Sequence, residues 1–435
     1  MKVFKFGGAS LKDAAGVKNV SSILQRYKGE SLVIIVSAMG KTTNALEAVI
    51  DAHVKQTGKA QELYDNLKEH HYAIMRELFD AGEEVFSLVN DTFVEGEWVL
   101  EEKPSDNYDY LYDQIVCVGE LVSSKIVAAY LNKIGLSTHW LDARDVVSTD
   151  NTYREGWVVW DKTRANVQKH VAPLLEKGGF VLTQGFIGST SENFTTTLGR
   201  EGSDYSAAIF SFCLDADSMS IWKDVPGVLN ADPRLFENVI KLDRLSYKEA
   251  IEMTYYGAQV IHPKTIKPLQ NKNIPLYVKS FLDPDAPGTE ISSDTEDTYP
   301  PIIVVEKNQS LLHISTTDYS FVAEQHMARL FAKLAELRLF VNMMQNTAIS
   351  FTICVPNIPD RLEKFIKDVS DQFRVKKEDG LELITIRHYN EDTIANLKKG
   401  KMVLFEERIR NTMQMVVRNV PAVERREVEL ERVKG

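Results

Sequence analysis

Residues 1–36, MKVFKFGGASLKDAAGVKNVSSILQRYKGESLVIIV, carry the pattern on which the fold turns. MKVFKF reads as a strand, and Gly7-Gly8 interrupt it. Apolar Val17, Val20, Ile23 and Leu24 then recur at helical spacing, and Leu32 to Val36 form a short continuous apolar run of the buried-strand type. SAMGKTTNAL (37–46) repeats the turn into a helix. Two strand–turn–helix units in succession predict a parallel sheet covered by helices. The alternation continues with a helix from Ile115 to Asn132, a strand from Phe180 to Thr183, a helix from Asp204 to Phe212 and a strand from Met219 to Trp222. Residues 1–293 therefore read as one large α/β domain, an open parallel-type sheet sandwiched by helices.

From Ser292 to Pro301 (SSDTEDTYPP) the chain is polar and acidic, lacks apolar periodicity and ends in two prolines, which marks a boundary with a linker at 294–301. Beyond it IIVVEKN and SLLHIS read as two strands, followed by a helix stripe of Met327, Leu330, Phe331, Leu334 and Leu337. AISFTICV is a further strand, Leu362, Phe365, Ile366 and Val369 a second stripe, and LELITIRHY a strand again. This interleaving of strands and helices is read as the ferredoxin-like α+β arrangement. Residues 302–435 are read as a second module, two intertwined copies of that unit, ending in a charged helix or tail, ERREVELERVKG.

The chain has 435 residues, 51 basic and 62 acidic side chains and a formal charge of −11. That charge argues against a nucleic-acid protein relying on a global positive field. With 44% hydrophobic and 26% charged residues the composition is globular. The apolar run near the N-terminus is far short of the roughly 20 residues of a membrane helix, and no signal-peptide pattern precedes it. A cytoplasmic protein without membrane or nucleic-acid partners is expected. Cys117, Cys213 and Cys354 stand singly in apolar surroundings and read as buried thiols. No HExxH occurs, and His70-His71 in a polar helical stretch read as solvated.

Glycine is scarce, 23 in all, yet Gly178, Gly179, Gly185, Gly188, Gly199 and Gly202 crowd together. Backbone there is expected to approach something closely. Gly40-Lys41-Thr42 is no Walker A loop, because Ile35 stands where its first glycine belongs, and Gly7-Gly8 lacks the GxGxxG spacing. Lys5, however, sits at the carboxyl end of the first strand, where open α/β sheets place ligands, beside a glycine turn whose N–H groups can hold anions. A lysine beside bare backbone donors suits phosphoryl transfer, in which catalysis is mainly positioning and charge stabilisation. In TTTLGREGSDYSAAI (195–209) the arginine can grip a carboxylate and the aspartate can hold magnesium or orient a lysine, with Ser203 or Asp204 also capping the helix.

Six blocks in order, KFGGAS, VSAMGKTTNAL, VGELVSS, TTTLGREGSDYSAA, WKDVPGVLNADPR and MTYYGAQVIHP, resemble the aspartate kinases of the amino-acid kinase superfamily, and the C-terminal module resembles their paired ACT domains. The resemblance implies an amino-acid kinase fold and Mg²⁺·ATP-dependent phosphorylation of the L-aspartate side chain, the entry to lysine, threonine, methionine and diaminopimelate synthesis. It implies that Lys5, Gly8 and Asp204 form the catalytic centre and that Thr43, Glu120, Arg200 and Ser203 hold aspartate, Glu120 facing the ammonium. Nucleotide would be bound by Lys5, Gly7, Gly8, Ser10, Lys223, Asp224, Leu229, Arg234 and Gln259. An amino-acid effector, lysine or threonine, would sit near Val341, Asn342, Gln345 and Asn346, and a homodimer would form through the ACT domains. No GxGxxG unit follows those domains, so a monofunctional kinase is expected. Ala9, Leu229 and Gln259 depart from the family pattern (GGTS, tyrosine and lysine). A neutral amide cannot replace a cation, so altered nucleotide binding is expected, with Lys264, Lys223 or Lys41 supplying charge. The alternatives are a weak kinase serving as an amino-acid sensor, or another kinase of the superfamily.

Overall fold

The computed structural model describes the chain except for residues 259–260, 294–297, 318–320, 322 and 421–435. Gln259, the start of the linker and the charged C-terminal segment thus lie outside the described residues. The chain runs through β1 (Lys2–Phe6), α1 (Ala14–Gln25), β2 (Leu32–Val36), α2 (Thr42–Val54), α3 (Ala60–Leu78), α4 (Val85–Glu101), α5 (Tyr108–Lys133), β3 (Thr138–Leu141), α6 (Trp160–His170), α7 (Ala172–Glu176) and β4 (Phe180–Gln184). A hairpin of β5 (Ile187–Ser189) and β6 (Thr195–Thr197) leads into α8 (Gly202–Cys213), β7 (Ser218–Lys223), β8 (Arg244–Ser246), α9 (Tyr247–Tyr255), α10 (Pro263–Asn271), β9 (Leu276–Ser280) and β10 (Thr289–Ser292).

Eight of these strands form one sheet in the order β3-β4-β2-β1-β7-β9-β10-β8. Only the β9–β10 pair is antiparallel. LVIIV of β2 and FVLTQ of β4 are buried along their whole length, as expected of parallel strands covered on both faces. Strand β1 lies inside the sheet with β2 on one side and β7 on the other, so Lys5 stands level with Ile35 and Ile221. The chain first adds β2, β3 and β4 on one side of β1 and then β7 on the other, a reversal of strand order of the kind that places ligands at the carboxyl ends of the strands. Helix α5 is long and apolar enough to span a membrane by length and composition, but most of it is buried within the protein itself. It is a core helix, packing through Ile115, Val118, Val122 and Ile126.

The chain divides into two compact units, one of residues 1–228, 241–251 and 259–296, the other of residues 229–240, 252–258 and 297–435. The second unit contains β11 (Ile302–Thr316), α11 (Glu324–Glu336), β12 (Met343–Asn346), β13 (Ser350–Pro356), α12 (Pro359–Val369), β14 (Phe373–Arg387), α13 (Glu391–Lys398), β15 (Lys401–Ile409) and β16 (Thr412–Asn419). Its antiparallel sheet runs β12-β13-β11-β14-β16-β15. The two strands expected from IIVVEKN and SLLHIS are one strand, β11, whose register against β14 shifts between Glu306 and Leu311. That shift separates two half-sheets. The later half of β11 joins β12, β13, α11 and α12 around Leu312, Ile353, Leu330 and Phe365. The earlier half joins β16, β15 and α13 around Ile384, Ile386, Ile394 and Met415. Each long strand thus serves two α+β units, and the last unit has a single short helix among the described residues.

Candidate active site

The first unit gathers its polar residues where β1, β2, β4 and β7 end side by side. Lys5 Nζ lies 2.7 Å from Asp204 Oδ1, with the two side chains only 12% and 5% exposed. Burial raises the Asp204 carboxyl, but the Lys5 and Lys223 cations outweigh it and hold the group below the ordinary carboxylate range. Helix α8, which begins at Gly202, carries Asp204 in its first turn. Its N-cap is Glu201 in the left-handed region with no side-chain cap, so neither Ser203 nor Asp204 caps the helix as the sequence suggested. Asp204 turns to Lys5 instead. Ser203 is buried because Gly185, after β4, lies against it: a Cβ there would stand 2.5 Å from Ser203 Cβ.

The glycine turn after β1 is equally close-packed. A Cβ on Gly8 would lie 2.7 Å from Ala38 O and 2.8 Å from Gly40 O, and Gly40 N–H donates to Gly8 O at 3.0 Å. The buried Ser10 hydroxyl donates to Gly7 O at 2.7 Å and so stiffens the turn. Ala38 also joins this turn to Glu120, for its N–H donates to Glu120 Oε1 at 3.4 Å. Glu120 is 3% exposed, its Oε2 has no hydrogen-bond partner among the described residues, and burial pushes its carboxyl up to about 8. A buried, unpartnered carboxylate oxygen is costly unless a cation reaches it.

Thr43 lies at the start of α2, partly exposed, beside the buried Thr42. Thr42 Oγ1 and His71 Nε2 are 3.3 Å apart, and His71 Nδ1 is 2.8 Å from Leu67 O. Burial pulls His71 down to about 4, so the ring is neutral; Nδ1–H donates to the carbonyl and Nε2 accepts from the threonine. The expectation that both His70 and His71 are solvated fails for His71, because α3 turns it inward against Phe93.

Arg200 is exposed, with no hydrogen-bond or ion-pair partner among the described residues. The loop around it is held firmly. Gly199 takes φ +73°, Glu201 φ +55°, Phe186 φ +71° and Arg154 φ +67°. Lys264 Nζ donates to Leu198 O at 3.0 Å, and His262 N–H donates to Glu201 Oε2 at 2.8 Å. On the other side Asp113, wholly buried on α5, accepts from Thr197 N–H at 2.9 Å, Thr197 Oγ1–H at 2.7 Å and Arg154 N–H at 2.9 Å. Burial raises the Asp113 carboxyl to about 6 against these donors. Asp113 and His71 were absent from the sequence-based site, and Lys264, expected to supply charge for nucleotide, holds the Leu198 carbonyl. Asp113 could have been suspected, since it lies two helical turns before Glu120 and is charged on an otherwise apolar helix face.

Of the expected nucleotide residues, Lys223 ends β7 partly buried and acts on Asp204, while Asp224 is exposed. Leu229 and Arg234 belong to the second unit. The Arg234 guanidinium forks onto Asp232, Nε–Oδ1 3.0 Å and Nη2–Oδ2 2.7 Å. Also in the second unit, Asn342 Nδ2 donates to Glu306 Oε2 at 3.1 Å and Gln309 Oε1 at 3.0 Å. Val341 packs into the core of its half-sheet, and Gln345 and Asn346 are exposed on the edge strand β12. Among the described residues no three His, Cys, Asp or Glu side chains gather as a metal site.

The model of the "Amino acid kinase family" matches residues 1–280. The chain is 30% identical to lysine-sensitive aspartokinase 3 of Escherichia coli over 398 residues, 88% of this chain and 86% of that protein. It is 31% identical to chloroplastic aspartokinase 1 of Arabidopsis thaliana over 81% of this chain, spanning 62% of that protein's length. Its structure is similar to E. coli aspartokinase III in complex with aspartate and ADP (R-state), with TM-score 0.82, 26% identity and 96% of each chain covered. It is also similar to that enzyme with lysine and aspartate (T-state), with TM-score 0.81, 26% identity and 96% of each chain covered. The chain therefore belongs to the amino acid kinase family, among its aspartokinases.

Proposed function

We propose that this protein is an aspartate kinase, transferring the γ-phosphoryl group of ATP to the side-chain carboxylate of L-aspartate. The observation that carries this reading is the pairing of opposite demands around Ala38. Its N–H donates to a buried glutamate, Glu120, whose other oxygen, Oε2, has no hydrogen-bond partner among the described residues, and its carbonyl packs on the Gly8 turn beside the Lys5–Asp204 pair. Glu120 Oε2 suits the substrate ammonium and Arg200 a carboxylate, while Lys5 and Lys223 suit phosphoryl oxygens.

The aspartate side-chain oxygen attacks the γ-phosphorus, and the bond to the β,γ-bridging oxygen breaks, giving 4-phospho-L-aspartate and ADP. The attacking group is already an anion, so no protein base is required. Lys5, held by Asp204, meets the charge that spreads over the equatorial oxygens. Magnesium carried on the nucleotide phosphates would neutralise part of their charge. The product supplies lysine, threonine, methionine and diaminopimelate synthesis. The second unit binds lysine or threonine as effector and pairs two subunits. Three buried, unpaired cysteines suit a reducing cytoplasm.

ADP release should depend on aspartate and not on glutamate or UMP. Release with glutamate or UMP in place of aspartate would reassign the substrate, and no release with any of them would favour an amino-acid sensor.

A further inference from the structure

Helix α5 carries two buried acids seven residues apart, Asp113 and Glu120, about 10 Å along its axis. Glu120 faces the proposed ammonium position. Asp113 is not among the residues expected to hold a ligand, yet three donors converge on its carboxylate from two separate segments, Arg154 and Thr197. The neighbouring Gln114 continues the pattern: its amide donates to Thr195 O at 2.8 Å and its oxygen accepts from Thr195 N–H at 3.2 Å. Side chains of α5 thus take the place of a pairing strand along β6.

The two segments tied by Asp113 enclose the Arg200 loop. Gly156 N–H donates to Thr197 O at 2.8 Å, and a Cβ on Gly199 would lie 3.2 Å from Arg154 O. Arg154 itself is a non-glycine residue in the left-handed region, a conformation that persists only where surroundings enforce it. Its guanidinium lies over the Tyr112 ring, 4.3 Å from the centroid. Asp113 accepts from its strained N–H, and three residues beyond Thr197 comes Arg200.

We propose that Asp113 is a positioning residue for substrate capture, its carboxylate clamping Thr197 and Arg154 so that α5 fixes the spacing between Glu120 and Arg200. One rigid helix then sets the distance between the groups that hold the two ends of aspartate. This rests on the aspartate kinase reading. An asparagine at 113 loses the negative charge that draws two N–H groups onto Oδ2 and sets an amide against the Thr197 hydroxyl in place of Oδ1, so the clamp weakens while Lys5 and Asp204 stay paired.

The test compares Asp113→Asn, Thr197→Val and Thr197→Ser in the full-length protein by steady-state kinetics and amide hydrogen exchange. Asp113→Asn should raise KM for aspartate at least about 10-fold, with KM for ATP within about 2-fold and faster exchange at residues 154 and 195–200. Thr197→Val should shift both readouts in the same direction by less, and Thr197→Ser should restore them. Should Asp113→Asn fail to fold, the threonine pair still decides the matter. Unchanged exchange and unchanged KM for aspartate in Thr197→Val would overturn the clamp. Wild-type protein without aspartate-dependent ADP release would defeat the kinase reading instead, and faster exchange in the variants would then leave the clamp standing as a loop anchor without a role in aspartate capture, which overturns the proposal as stated.

Discussion

At the scale of single residues, Glu120 makes the sharpest demand. Its carboxyl is raised from 4.5 to about 8 by burial, so the folded protein keeps a proton that the unfolded chain gives up. Between those two values stability falls as pH rises, and above about 8 the whole penalty is present. Glu120→Gln removes the ionisable group and with it that slope. The stability of the wild type, followed by thermal melting, should therefore fall relative to the variant from pH 5 to pH 9, by on the order of 1 kcal/mol or more. Aspartate, bringing an ammonium to Oε2, should restore wild-type stability at high pH and leave the variant unmoved. Parallel melting curves across the pH range would contradict the buried-acid account. The same substitution should raise KM for aspartate roughly 10-fold or more, the scale of a lost charged hydrogen bond.

At the scale of elements, the crowded glycines divide by what their neighbours allow. Gly185 lies on the first turn of α8, and an alanine there would press its Cβ within 2.5 Å of Ser203 Cβ and 2.7 Å of its Cα. Both are fixed atoms of a packed helix, so the helix start must move, at a cost of about 1–3 kcal/mol. Gly178 meets nothing within 4 Å but holds φ +83°, so alanine there strains only its own backbone, by about 1–2 kcal/mol. Both variants should melt earlier. Only Gly185→Ala should also lower kcat, about 10-fold or more, since it displaces Asp204 from Lys5. Equal kcat in the two variants would show that the α8 start tolerates displacement. Elsewhere the elements explain a reading that did not hold. IIVVEKN and SLLHIS look like two strands because polar residues interrupt the apolar run at Glu306–Asn308, yet both stretches pair with β14 and continue as one.

At the scale of the whole molecule, a net charge of −11 coexists with two lysines, Lys5 and Lys223, that act together on Asp204, because local placement and not the total governs what an anion meets. The second unit, two interlocked α+β halves on shared strands, is the proposed seat of regulation. Lysine or threonine, titrated into the ADP-release assay, should raise the aspartate concentration for half-maximal rate by at least about 5-fold. No response to either amino acid would remove the effector assignment. What the amino-acid sequence determined by itself was the opening strand–turn–helix units, the parallel sheet and the Lys5 turn, since apolar period and glycine position are local properties of the chain. Its blocks also brought Lys5, Glu120, Arg200 and Asp204 onto one short set of candidates. Only tertiary structure decided that Asp204 pairs with Lys5 instead of capping its helix, that His71 is buried and neutral, and that Asp113 clamps the Arg200 loop. Those outcomes depend on burial and on partners dozens of residues away, and neither is a property of the residue's own neighbourhood in sequence.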